Sequence, residues 1–336
     1  MFKLGVFKKE QLTPDRLARI LNSRTFIALD LYNSLDDLPP AEIDKIQERM
    51  LRWFRLRNGV QKRTYARRFD DFDRVSLPII AANFPIRQDV RVHDIGASDG
   101  RSSCGLYEHL NHLFGERLHF LASDYASYLY VLKRAQGASR LIIDDQHDVL
   151  QIITPPFVFI VHHAESRRLD PLNYLIRLLV TAFYARPLLE GYKSGSPGIE
   201  RTRLELLCRE CRAYINQQNN FRFDSYDVLS GPTERFDVVR AMNVLNYDYF
   251  PEAQLRSAVQ NVIQSLGEGG LFITGSNVEP GTMVDGGIYK KTKNRMERIE
   301  MSGKGSPVDA LISEGSGSSD ETDPSHTGFV GAKHPQ

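Results

Sequence analysis

The stretch Val90 to Ser103, VRVHDIGASDGRSS, constrains this chain more than any other, because it runs a short strand directly into a glycine-punctuated turn and a helix. Val90, Val92 and Ile95 supply a brief apolar strand with Asp94 at its carboxyl end. Gly96 and Gly100 flank a turn whose backbone can approach a ligand closely. Ser102 or Ser103 is placed to cap a helix start whose free N–H groups face the same spot. The pattern D-x-G-x-x-x-G carries Ser98 between its glycines and lacks the G-x-G-x-x-G spacing of dinucleotide enzymes. By itself it fits a nucleotide cradle or a tight connection in some other α/β protein.

A chain of 336 residues with 41% hydrophobic content is long enough for one large domain, or one domain with an elaboration. The net charge of +1 gives no global attraction to nucleic acid or acidic membranes, so nucleic acid is not an expected partner. Three cysteines do not make a disulfide framework and fit a reducing compartment. The N-terminus, MFKLGVFKKEQLTPDRL, has no continuous apolar core, and no apolar run of roughly twenty residues occurs. A cytoplasmic protein with no membrane span is the expectation.

Residues 1–88 read as a mostly helical cap, in which Ile43, Ile46, Met50 and Phe54 share one helical face. An α/β domain follows over residues 89–312, with strands at 91–95 and 118–123 and helices at 101–114 and Tyr125 to Gln136. Residues 138–217 break this alternation and read as a helical insertion, a lid over the site. Within it Leu172, Leu175, Ile176, Leu179 and Phe183 form one stripe expected to pack inward, since a basic polar face for a membrane surface is missing. Leu204, Leu207, Cys208, Cys211 and Ile215 form another, which makes Cys208 and Cys211 core residues rather than a metal pair. Alternation then resumes with Phe221–Phe223, a strand at Phe236–Arg240, a helix from Glu252 to Leu266 capped by Gly267, a strand at Leu271–Ser276 and a hairpin over Gly287–Ser302. Val308 to Ile312 make a last apolar turn, and residues 313–336 read as a disordered tail.

Asp124 ends the strand LHFLAS at about the distance after the glycine turn expected of a ribose-binding carboxylate, which accepts both sugar hydroxyls. It also fits a helix N-cap. With HDIGASDG and FLASDYAS, the block FRFDSYDVLSGPTERFDVVRAMNVLNYDYF…GEGGLFITGSN resembles the class I S-adenosylmethionine-dependent methyltransferases over about residues 90–300. Within that superfamily RAMNVLNYDYF resembles the RNVLIYF signature of chemotaxis receptor methyltransferases. Two extra residues lie between Arg240 and Asn243, and Asn246 replaces an apolar residue, so the likeness is one of architecture.

The resemblance implies a Rossmann-like, doubly wound α/β sheet with S-adenosyl-L-methionine as cofactor and no metal. Asp94, Gly96, Ser98, Asp99 and Gly100 would surround its methionine portion, with Asp94 or Asp99 on the ammonium. Asp124 would bind the ribose, Tyr125 the adenine face, and Asp227 and Val228 the adenine edge and ring. Arg240, Met242, Asn243 and Tyr247 would line the place where methyl meets acceptor. A carboxylate acceptor needs no general base, whereas a hydroxyl or amine does, for which His162, His163 and Glu165 are candidates. The expected acceptor is an oxygen or carboxylate of a small molecule or protein side chain. Two rivals remain, a non-catalytic interaction protein on the same fold and a nicotinamide-dependent oxidoreductase, the latter lacking its glycine motif. The basic run Arg52 to Arg68, with Arg52, Arg55, Arg57, Lys62, Arg63, Arg67 and Arg68, reads as a solvated charged face more readily than as an RNA or phosphate site.

Overall fold

The computed structural model describes residues 2–23, 25–53, 55–56, 62, 65, 67–85, 88–162, 171–278, 281–293 and 295–314. The chain opens with strand β1 (Phe2–Val6), helix α1 (Pro14–Asn22), the short strand β2 (Phe26–Ile27), and helices α2 (Pro40–Trp53) and α3 (Asp70–Asn83). Strand β3 (Val90–Ile95), helix α4 (Arg101–Phe114) and strand β4 (Leu118–Asp124) follow. A meander of β5 (Tyr128–Arg134), β6 (Arg140–Ile143), β7 (Val149–Thr154) and β8 (Phe157–Ile160) leads into α5 (Pro171–Val180), a π-turn at Thr181–Ala185 and α6 (Arg186–Lys193). The chain returns through β9 (Ile199–Glu205) and α7 (Arg209–Gln217). It finishes with β10 (Phe221–Ser225), β11 (Phe236–Met242), α8 (Glu252–Ser265), β12 (Leu266–Asn277), β13 (Val284–Thr292), β14 (Arg295–Ser302) and α9 (Asp309–Glu314).

These strands form two seven-stranded sheets. The first has the order β10-β4-β3-β11-β12-β13-β14, parallel from β10 to β12 and antiparallel at β13 and β14. Taken in chain order its parallel strands lie third, second, first, fourth, fifth, so winding reverses between β3 and β11, the point where doubly wound sheets bind ligands. Both faces are covered, as parallel sheets require. Phe72 of α3, Leu110 of α4 and Cys211 of α7 pack on one side, and Leu255 and Val259 of α8 with Leu311 of α9 on the other.

The second sheet has the order β2-β1-β8-β7-β6-β5-β9. Here the beginning of the chain and the insertion join: β1 pairs antiparallel with β8, Leu4 opposite Phe157, and parallel with β2, Gly5 opposite Phe26. Besides the expected helices, both segments therefore contribute strands. One face of this sheet packs on α1 and α2 through Leu17, Ile43, Ile46 and Met50, and the other on the π-turn and α6 through Ala185 and Leu188. Phe54, expected on the α2 stripe, lies outside the described residues.

Four expectations are corrected. Tyr125 to Gln136 is not a helix: Tyr128–Arg134 is β5, held between β6 and β9, with Arg203 over the Tyr128 ring at 4.3 Å and Arg201 over Tyr130 at 3.4 Å. The stripe from Leu204 to Ile215 is not one helix, because Leu204 belongs to β9 in the second sheet while Cys208 caps α7 on the first. Gly267 is not a cap, since Leu266 is already extended and passes straight into β12. The α5 stripe does not pack inward: Leu172, Leu175, Leu179 and Phe183 are exposed and Ile176 alone of the five leans on the sheet.

Buried Gln151 on β7 locks the two sheet-forming segments together, its Oε1 accepting the Leu29 N–H at 3.0 Å. Gln151→Leu would leave that N–H buried without a partner, and is expected to lower stability by about 1–3 kcal/mol in urea unfolding. An unchanged midpoint would show that the contact contributes nothing.

Candidate functional site

The turn after β3 takes its shape from three left-handed residues, Gly96 (φ 75°), Ser98 (φ 59°) and Gly100 (φ 82°). Glycine adopts this region freely, whereas serine does so at a cost of about 1 kcal/mol. Ser98 thus stands where a glycine would be conformationally natural. A Cβ on Gly96 would lie 1.9 Å from Cγ2 of Val244, and one on Gly100 would lie 2.5 Å from Sγ of Cys211. The turn is pinned to β4 by the N–H groups of Gly96 and Ala97, both donating to the Ser123 carbonyl at 2.8 and 2.9 Å. Gly100, not Ser102 or Ser103, occupies the N-cap of α4, and the Ser103 hydroxyl instead donates to Asp94 at 2.6 Å.

Asp94, at the end of β3, receives Arg240 from β11 in a two-pronged contact, Nε to Oδ1 and Nη2 to Oδ2 at 2.8 Å each. Arg240 Nη1 donates to both oxygens of Asp73 on α3, at 2.9 and 3.1 Å. Burial works against the Arg240 charge, yet the Asp94 and Asp73 carboxylates outweigh it and raise its pKa above the ordinary arginine value. Burial raises the Asp73 carboxyl, with Arg240 opposing. Asp99, 0% exposed, faces Arg101 Nη2 at 3.3 Å and the Tyr32 hydroxyl at 3.4 Å. Burial and the Asp99 charge hold that phenol well above its usual range. Asp94 and Asp99 are therefore both engaged by arginines.

Asp124 closes β4. Its Oδ2 accepts the Ser98 N–H at 2.8 Å and its Oδ1 the Ala126 N–H at 3.0 Å, so the N-cap reading is replaced by a clamp between the two strand ends. Oδ1 also receives the Lys62 ammonium at 2.8 Å, and Lys62 donates further to the carbonyls of Ser98 and Ala126. Ser98 Oγ is buried in this turn and unpartnered. A cavity of about 320 Å³ opens beside Asp124, lined by Tyr125, Ala126, Asp144, Asp145, Gln146, Asp148 and Ser225 among others.

The other expected residues divide. Tyr125 is half exposed on that cavity, its hydroxyl accepting from Gln146 at 3.2 Å. Asp227 folds back onto the Leu229 N–H at 2.9 Å, and Val228 is buried against the core containing Ile95 and Leu121. Met242 is likewise a core residue. Asn243 is left-handed (φ 60°), and its amide is taken up by Asn277 in two hydrogen bonds of 2.8 Å. Tyr247 is 53% exposed after β11. His162 follows β8 in the other sheet, where Arg177 of α5 donates to the neighbouring Val161 carbonyl at 2.8 Å, away from the β3–β11 reversal. His163 and Glu165 lie outside the described residues. Cys208 and Cys211 are fully buried beside Cys104 in the first sheet's core.

Lys62, Arg68, Tyr32, Asp73 and Arg101 were not singled out for this site by sequence reasoning. The basic run is not simply a solvated face, because Lys62 and Arg68 are each 4% exposed. A signal was present: carboxylates set in apolar surroundings need partner cations, and this run supplies them.

No protein family model and no curated protein matches the sequence. Among solved structures, the chain is similar to CalS10, an amino pentose methyltransferase from Micromonospora echinaspora (13% identity, 68% of this chain and 60% of that one, TM-score 0.30). It is also similar to the N-methyltransferase NodS from Bradyrhizobium japonicum (14% identity, 78% and 71%, TM-score 0.28) and to the [4+2]-cyclase SpnF (11% identity, 61% and 44%, TM-score 0.26). The chain thus spans less than two thirds of CalS10 and SpnF. The fold is a Rossmann-like, doubly wound α/β sheet. Its own strand order and the β3–α4 turn at the reversal carry that assignment.

Gly96→Ala is expected to cost about 3 kcal/mol or more, from overpacking on Val244 together with the left-handed backbone. Ser98→Gly is expected to stay within about 1 kcal/mol of wild type, relief of strain offsetting added chain entropy. Thermal unfolding of the two variants distinguishes these outcomes, and equal losses would refute this account of the turn.

Proposed function

We propose that the chain is an S-adenosylmethionine-dependent methyltransferase that takes its cofactor at the carboxyl ends of β3 and β4. The observation that carries this reading is the left-handed turn from Gly96 to Gly100 at the sheet reversal, tied by the Ser98 N–H to the Asp124 carboxylate. The donor set suits the ligand. Asp124 would hold ribose hydroxyls, the orphaned Ser98 hydroxyl supplies a further polar group, and Tyr125 borders an acid-lined cavity that favours a cation.

When bound, the cofactor supplies an electrophilic methyl group. The chain's part is to bind, align and exclude water. Asp94 acts at one remove, by holding Arg240 in place. The segment from Met242 to Phe250 offers Asn243, Asn246, Tyr247, Asp248 and Tyr249, where a carboxylate acceptor would need no base and a hydroxyl or amine acceptor would give its proton to the Asp248 carboxylate. Tyr247 is exposed and able to position it.

Lys62 stands in competition. Its ammonium holds Asp124 Oδ1, a position the ribose would need, so cofactor entry requires Lys62 to withdraw. The same contact favours a second reading, a non-catalytic protein whose crevice is permanently satisfied by its own side chains.

Calorimetric titration with S-adenosylhomocysteine separates the two. The wild type is expected to bind it and not NAD. Asp124→Ala should weaken binding by about ten-fold or more through loss of charged hydrogen bonds, while Lys62→Met should tighten it. Absence of binding in wild type and Lys62→Met alike would favour the non-catalytic protein, and binding of NAD alone would exclude both.

A further inference from the structure

All three cysteines of the chain are unbridged and meet beneath the glycine turn, Cys104 from α4 and Cys208 and Cys211 from the start of α7. Each is fastened to the last residues of that turn. The Cys104 N–H donates to the Gly100 carbonyl at 2.9 Å and the Cys208 N–H to the Asp99 carbonyl at 2.8 Å. Cys211 Sγ occupies the space beside Gly100 that a Cβ would need.

Cys208 differs from an inert core thiol. It is the N-cap of α7, and its sulfur accepts the Cys211 N–H at 3.4 Å. The Cys104 and Cys211 thiols donate to the same sulfur, and with the Arg101 charge nearby they hold its pKa well below the ordinary thiol value against the cost of burial. A thiolate at a helix N-terminus beside an arginine is the reactive form of cysteine. Cys211, one turn on, is its neighbour in a C-x-x-C. The two residues between them, Arg209 and Glu210, are exposed, so a single turn of a nine-residue helix separates the pair from solvent. Opening of such a turn is a local event that leaves the rest of the fold intact.

We infer that Cys208 and Cys211 are a redox-active pair, which a hydroperoxide closes into a disulfide that unseats the glycine turn. The Cys208 thiolate attacks a peroxide oxygen, so that an S–O bond forms as the O–O bond breaks, and the departing oxygen takes the proton that the thiol gave up. Cys211 Sγ then attacks Cys208 Sγ, forming S–S as S–O breaks, and its proton leaves with that oxygen as water. Two thiols lose two electrons, and hydrogen peroxide is reduced to two waters. Closure draws the sulfurs from hydrogen-bond contact to about 2 Å. That takes Cys211 Sγ off Gly100 and pulls the Cys208 N–H from Asp99, which loosens the turn. The chemistry is independent of what the crevice binds.

Folded full-length protein treated with hydrogen peroxide, then unfolded, alkylated and cut with trypsin, is expected to yield the Cys208 and Cys211 peptides joined, because cleavage after Arg209 otherwise parts them. Cys104 should be alkylated, and dithiothreitol should restore all three thiols. C104A should form the same bridge. In the oxidised protein the Gly100 and Cys104 amides should exchange hydrogen at least about five-fold faster than in the reduced one. Three intact thiols in folded protein, at a peroxide concentration that oxidises the urea-unfolded chain, would overturn the inference. So would a bridge made from Cys104, or a Cys208–Cys211 bridge that leaves amide exchange in the turn unchanged.

Discussion

A guanidinium with 1% of its surface exposed holds this structure together at the site. A buried charge of that kind costs several kcal/mol unless paired and hydrogen-bonded, and Arg240 is both. It links β11 to β3 through Asp94, to α3 through Asp73 and to the start of α4 through the Ser102 carbonyl. Asp94 is completed by the Ser103 hydroxyl, so the strand end, the turn and the first turn of α4 move as one body. Asp94 thereby serves as the counter-charge that lets Arg240 sit in the sheet.

The second sheet extends the same logic to larger scale. Its middle comes from the insertion and one edge from the first 27 residues, so neither segment buries its apolar face without the other. The joint fixes where the intervening chain goes. Tyr32, Gln47, Lys62 and Arg68 are carried over the carboxyl ends of β3 and β4, where Tyr32 meets Asp99 and Lys62 meets Asp124. The cover of the crevice is thus the N-terminal segment. The insertion, expected as a lid, places α5 and α6 on the far side of the second sheet.

Where local pattern and burial agree, the sequence was legible. The helix over 101–114, the strands after Val90 and Leu118, and the hairpin near Gly287–Ser302 all lie where periodicity and glycine placement put them. The Tyr125–Gln136 segment failed because Tyr128 and Tyr130 gain their arginine partners from β9, some seventy residues on, a contact invisible to a local window. At the site, the β3 turn and Asp124 were legible as a cluster because all belong to two consecutive strand ends. Lys62 and Arg68 were not, since a basic run reads alike whether it meets water or buried acids.

The sequence by itself determined a doubly wound sheet with a glycine turn at its reversal, because apolar runs and left-handed positions are local demands of the backbone. Only the tertiary structure decided that Asp94 and Asp99 face arginines while Asp124 meets Lys62 and the Ser98 N–H. It also decided that one side of the α5 stripe would remain in solvent. Both are matters of charge pairing and burial between segments far apart in the chain, and spacing along the sequence does not encode them.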